Sequence, residues 1–228
     1  MVSPLAVDID GTLTDEVRAL DPRVIEPLRA WEAPVVVATG KALPYPVALC
    51  EFLGIETRVI AENGGAVYLA DDDRLEFTGN REGAARVIER YREAGYDLGW
   101  GEVDFTNRWR ETELAVSLDR PLGPLEELAA EEGLRVFDTG YAYHVTSPDV
   151  DKGVGLTRVA DRLGRDPAEF AVVGDSENDA AALKIAGTAV AVANADERAK
   201  AAADRVTDAA FADGFLEALS IVERAASD

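Results

Sequence analysis

Short, continuously apolar runs that alternate with amphipathic stretches set the tightest limit on what this chain can fold into. Val35-Val36-Val37-Ala38 is one such run, and it stops at Thr39-Gly40. A strand with no polar alternation suits a sheet covered on both faces. Leu5-Ala6-Val7-Asp8-Ile9, Arg58 to Ala61, Phe170 to Gly174 and Thr188 to Val192 have the same character. Helical patterns lie between them. Pro22 to Trp31 is one, with Asp21 placed as N-cap and Pro22 at the first helical position. Pro46 to Leu53 is another, closed by Gly54. Asn63-Gly64 reads as a hairpin turn before Ala66 to Leu69. The β-α-β-α-β order predicts an α/β fold with a doubly wound parallel sheet.

The rhythm changes after about residue 78. A helix from about Glu82 to Ala94 leads to strand-like pieces at Thr112 to Leu118, Leu134 to Phe137 and Tyr141 to Val145, with a helix at Pro124 to Glu132. The parallel rhythm then resumes with helices at Gly153 to Leu163, Asp179 to Ala186, Ala195 to Ala203 and Phe211 to Ala226. The expected organisation is a core from residues 1–79 and 151–228, interrupted by a small α+β domain at 80–150.

The formal net charge is -21, from 44 acidic and 23 basic residues, and only four of the basic residues are lysines. Acid excess with scarce lysine resembles the proteins of salt-accumulating halophiles, whose surfaces self-repel unless salt screens them. It also argues against a nucleic-acid partner, because no basic stripe is present. No apolar run reaches the roughly 18 residues of a membrane span. The N-terminus lacks the pattern of a secretion signal, and the single cysteine, Cys50, forms no intrachain disulfide. A cytoplasmic protein without membrane contact is expected.

Chemistry concentrates where strands end, the edge at which open α/β sheets bind ligands. Asp8 and Asp10 follow the first strand, and Gly11 lets the chain turn. The spacing excludes a calcium loop of the EF-hand type, whose glycine is the sixth residue, whereas Gly11 is fourth. Asp175 ends another apolar strand, in Gly174-Asp175-Ser176-Glu177-Asn178-Asp179, where Ser176 and Asp179 also approximate a capping box. Two strand-end acid clusters in one sheet could converge on a hard cation. Thr39 and Gly40 offer a hydroxyl and a backbone amide to phosphate oxygens. Lys152 opens a helix, where a cation opposes the dipole unless an anion faces it.

In this order, Asp8-x-Asp10-Gly11-Thr12, Ala38-Thr39-Gly40, Lys152-Gly153 and Gly174-Asp175-x-x-Asn178-Asp179 resemble the four motifs of the haloacid dehalogenase superfamily of phosphatases. The insert resembles the α/β cap of its Cof-like branch, and the chain's length is similar to that of archaeal phosphoglycolate phosphatases. The resemblance implies a phosphomonoester hydrolase dependent on Mg²⁺, acting on a small phosphorylated metabolite as a monomer or homodimer. Asp8 would be the nucleophile, forming an aspartyl phosphate, and Asp10 the general acid and base. Asp8, the Asp10 carbonyl and Asp175 would hold the metal, with Asp179 supporting or ligating it. Thr39, Gly40 and Lys152 would grip the phosphoryl group, Asn178 would orient Lys152 or Asp175, and Thr12 would contact the region of Asp10. The family's usual arginine after Thr-Gly is replaced by Lys41.

Other readings compete. A sugar-phosphate or phosphoglycerate-type phosphatase would share the core and differ in the insert. A phosphoaspartate receiver also clusters Asp, Thr and Lys at strand ends, but has no such insert. His144, the only histidine, reads as structural and remote from every motif. Arg108-Trp109-Arg110 reads as a polar surface loop, with the alternative that its arginines meet a substrate carboxylate.

Overall fold

The computed structural model describes residues 2–226. Strands β1 (Leu5–Val7), β2 (Val35–Ala38), β3 (Arg58–Ala61), β4 (Ala66–Leu69), β5 (Arg74–Phe77), β9 (Ala171–Gly174), β10 (Thr188–Ala191) and β11 (Arg205–Val206) form one sheet. Its order is β11-β10-β9-β1-β2-β3-β4-β5. Pairing is parallel from β11 to β3 and antiparallel from β3 to β5. The remaining strands, β6 (Leu114–Ser117), β7 (Arg135–Asp138) and β8 (Ala142–Thr146), form a separate antiparallel sheet in the order β6-β8-β7.

Alternation along the strands explains the apolar runs. Ala6, Val36, Ile60 and Val172 pack on one face with Leu156 and Val159 of α5 (Lys152–Arg162) and Leu183 of α6 (Ala180–Ile185). Leu5, Val7, Val35 and Val173 pack on the other with Leu28 of α1 (Ile25–Ala30) and Phe215 and Val222 of α8 (Phe211–Ala225). Each such side chain stabilises the fold by about 1.5–3 kcal/mol when fully buried. With both faces covered, no position of a central strand is left for a polar residue.

Helices α2 (Pro44–Leu53) and α7 (Glu197–Ala202) complete the large-sheet layers, and α3 (Arg81–Glu93) and α4 (Leu122–Glu131) cover the small sheet. Tyr91, Val87, Leu125, Val116 and Val145 make that second core. Local differences from the sequence reading have simple causes. Pro22 to Trp31 divides into a 3-10 turn, Pro22–Val24, and α1, because Pro27 has no N–H to donate back along the helix. The edge strands β5 and β11 carry exposed, charged residues, so no apolar run announced them.

The β3-β4 hairpin turns through Glu62–Gly64, where Glu62, Asn63 and Gly64 take φ of 50°, 55° and 105°. A Cβ on Gly64 would overlap the Asp151 carbonyl, so glycine lets this turn press against the N-cap of α5.

Candidate active site

The parallel strands bring their C-terminal ends together, with β1 between β9 and β2. Asp8 therefore lies mid-sheet, flanked by Asp175 after β9 and Thr39 after β2. Asp151 caps α5 by accepting from Val154 N at 2.8 Å, which leaves Lys152 as the first helical residue. Its Nζ is fully buried and lies 2.6 Å from both Asp8 Oδ1 and Asp179 Oδ1. The cation that a helix N-terminus disfavours is thus matched by two carboxylates.

Asp179 uses both oxygens: Oδ2 accepts from Asp175 N at 3.0 Å and Ser176 N at 3.1 Å. It fastens the β9 loop to Lys152. Asp175 is the opposite case, since its Oδ1 is buried without a hydrogen-bond partner. Gly11, at φ 83°, passes so close to the Asp175 carboxylate that any Cβ would collide with it.

Oxygens of Asp8, Asp175 and Asp179 lie within 4.8 Å of one another. Three carboxylates therefore crowd around one ammonium, which contacts two of them. Burial is the main cause that pushes the Asp8 carboxyl well above its ordinary range, with Lys152 opposing and Asp179 and Asp10 adding. Burial likewise raises Asp175, reinforced by Asp8 and Asp179. Burial works against the charge on Lys152, but Asp179 and Asp8 outweigh it and its pKa is raised. An excess of buried oxygen donors with one orphaned carboxylate oxygen fits a hard divalent cation.

A cavity of about 400 Å³ opens over this cluster, lined by Asp8, Asp10, Gly40, Asp175 and Asn178. Thr39, Lys152 and Asp179 are buried and do not line it. Asp10 Oδ2 pairs with Lys41 Nζ at 2.9 Å, so the lysine that replaces the usual arginine touches the second aspartate directly. Three expectations need correction. Asn178 orients neither Lys152 nor Asp175: its Oδ1 accepts from Ser176 Oγ at 2.7 Å and its Nδ2 donates to Asn63 Oδ1 at 3.0 Å. Both ends of its amide are already occupied by these partners. Of the backbone or hydroxyl contacts expected of Thr12 near Asp10, only the backbone one is made, Thr12 N donating to Ile9 O at 3.4 Å, while its hydroxyl is buried without a partner. And His144 is not remote: it lines the same cavity as Asp8 and Asp10, because the small sheet lies over the strand ends.

Sequence reasoning missed the group around His144. Glu113, fully buried, accepts from Asn63 Nδ2 at 3.1 Å, lies 2.7 Å from His144 Nδ1 and pairs with Arg110 Nη1. Arg110 Nη1 also donates to the Gly40 carbonyl at 3.0 Å, and Nε donates to Thr106 O at 2.9 Å. Arg110 turns inward while Trp109 stays partly exposed against Phe105 and Tyr45. Glu62 makes a second tie, accepting from the backbone of Glu111 and Thr112 and from the Thr112 hydroxyl. The sequence offered two signals, the arginines weighed against a substrate carboxylate and a lone charge, Glu113, at the head of the apolar run Leu114 to Val116.

A family profile described as haloacid dehalogenase-like hydrolase matches residues 5–96 and 125–219. The chain belongs to this family. It is 64% identical over 217 residues to a Haloarcula marismortui protein named phosphoglycolate phosphatase, covering 95% of this chain and 96% of that one. A Natronomonas pharaonis protein of the same name is 62% identical, with 96% and 97% covered. A crystal structure of a Thermoplasma acidophilum protein superposes with a TM-score of 0.85 at 27% identity, over 98% of this chain and 99% of that one. The relatives from halophilic archaea agree with the acid excess of the sequence. Among the described residues, no helix is long and apolar enough to cross a membrane.

Proposed function

We propose that this chain is a Mg²⁺-dependent phosphatase that hydrolyses 2-phosphoglycolate to glycolate and phosphate through an aspartyl phosphate on Asp8. The observation that carries it is the contact of Asp8 with Lys152 at 2.6 Å beside the orphaned oxygen of Asp175, on the floor of a cavity shared with Asp10. Its high identity to proteins named phosphoglycolate phosphatase supports the substrate. A cytoplasmic location belongs to the same proposal.

Asp8, Asp175 and the Asp10 carbonyl would hold Mg²⁺, with Asp179 acting from behind, since its oxygens are engaged by Lys152 and backbone amides. The cation would offset the repulsion between a phosphate dianion and a carboxylate nucleophile. Asp8 Oδ attacks phosphorus in line, with Lys152 holding charge at the phosphoryl oxygens. Asp10, poised beside Lys41, gives a proton to the departing alkoxide and later takes one from the attacking water. Gly40 shapes the phosphate end of the cavity with the buried Thr39 behind it, Asn178 braces the β9 loop through Asn63, and residues 80–150 act as a cap over it. A panel of 2-phosphoglycolate, 3-phosphoglycerate and sugar phosphates with Mg²⁺ tests the reading. The highest kcat/KM should be for 2-phosphoglycolate; a sugar phosphate in first place would overturn the substrate, and no turnover of any ester would overturn the enzyme.

A further inference from the structure

The cavity also has a basic wall, opposite in chemistry to the acidic floor. Arg110 and His144 line it, both buried, and both are held by Glu113. A guanidinium has five N–H donors. Here Nε serves Thr106 O, and the Nη1 pair serves Gly40 O and Glu113, while Nη2 has no protein partner among the described residues. On His144, Nδ1 faces Glu113 and Asn63, while Nε2 likewise has no protein partner among the described residues. Neither atom is sealed in as a buried orphan, and both residues border the cavity.

We propose that Arg110 Nη2 receives the carboxylate of the substrate, with Glu113 and the Gly40 carbonyl as the fixed frame that aims the guanidinium. The inference rests on the phosphoglycolate reading above. Other cations border the cavity but are worse placed. Arg18 is exposed and stacks over the Tyr141 ring at 4.7 Å, and Lys41 is paired with Asp10. A guanidinium already desolvated and locked in one orientation loses little freedom on binding a planar carboxylate. The frame also measures length. Arg110 is tied to Gly40, the residue at the phosphate end, so the spacing from phosphate grip to carboxylate grip is set within one hydrogen-bonded unit. A flexible lysine would not impose such a fixed spacing.

The test compares 2-phosphoglycolate with ethyl phosphate, which has the same chain length and no carboxylate. The wild-type enzyme should favour 2-phosphoglycolate strongly in kcat/KM. Arg110→Met combined with Glu113→Gln removes the ion pair without stranding either charge. It should lower that selectivity ratio by roughly 10- to 100-fold, the scale of a lost charge-assisted pair. Arg110→Lys, which leaves Glu113 a cation, should lower it less and guards against a double variant that does not fold. Arg18→Ala should leave the ratio standing. The subsite is refuted if the Arg110 variants depress both esters equally, or if the ratio follows Arg18 instead. A wild-type enzyme with no preference between the esters would sink the substrate reading and the subsite with it, whereas a preference that survives the Arg110 variants sinks the subsite alone.

Discussion

At the strand ends, one ammonium contacts Asp8 and Asp179 while Asp175 lies close by, whereas beside the cavity Glu113 is shared between Arg110 and His144. The first cluster is over-supplied with negative charge and leaves a carboxylate oxygen without a partner. In the second, Glu113 is satisfied by its neighbours: against the penalty of burial, His144, Arg110 and Asn63 together hold its carboxyl below its ordinary range. An unbalanced buried cluster needs something from outside, here a cation and a phosphate. A balanced one, whatever its desolvation costs, supplies a rigid frame.

The strongest way to break this contrast is at Asp8. Asp8→Asn should abolish turnover while the metal-free protein melts no lower than wild type, because the substitution removes surplus charge. More than a few per cent residual activity would refute Asp8 as nucleophile. Chelation by EDTA should next remove nearly all activity, with Mg²⁺ restoring it, and Mg²⁺ should raise the melting temperature as a ligand specific to the folded state does. Activity that survives thorough chelation would mean that the acidic cluster is satisfied in another way.

At the balanced cluster the expected loss is in stability. Arg110→Ala strands a buried carboxylate and should cost about 3–5 kcal/mol, while the double change Arg110→Met, Glu113→Gln should cost clearly less. Equal losses in urea melts of the single and double variants would show that the pair is not coupled.

Proton linkage gives a smaller effect with a definite sign. Asp8 and Asp175 titrate at about 7 and about 9 in the folded metal-free protein, against 3.8 ordinarily. They bind protons more tightly folded than unfolded, so their contribution is complete below about 3.8 and is lost as pH rises through neutrality. The metal-free protein should therefore melt lower at pH 8 than at pH 6, and saturating Mg²⁺ should flatten the slope. The gentlest test is salt. With a net charge of -21, melting temperature should climb as KCl approaches molar levels, and a flat or falling trend would separate this chain from the halophilic pattern.

Much of the core was legible because its rules are local. A strand buried on both faces must be apolar throughout, so Val35 to Ala38 and Ala171 to Gly174 declared themselves. The residues just past them, Thr39 and Asp175, were legible for the same reason: polar groups at strand ends have one place to go. Pro27 and the edge strands were harder, because a missing N–H or an exposed ladder leaves no apolar run behind. Asn178 was misread because its partner, Asn63, lies 115 residues away in the chain.

The linear order of residues by itself determined the α/β alternation, the interruption after β5, the convergence of Asp8, Thr39 and Asp175 on one sheet edge, and the acidity of the surface. Periodicity and charge are properties of neighbouring residues, and neighbours can be read in a string. The tertiary structure alone decided that Lys152 would be shared by two carboxylates, that Asp179 would be used up while Asp175 was not, and that the small sheet would carry Glu113, Arg110 and His144 over the same cavity. Those facts depend on which groups are excluded from water together, and exclusion from water is a property of packed layers, which no local stretch of sequence encodes.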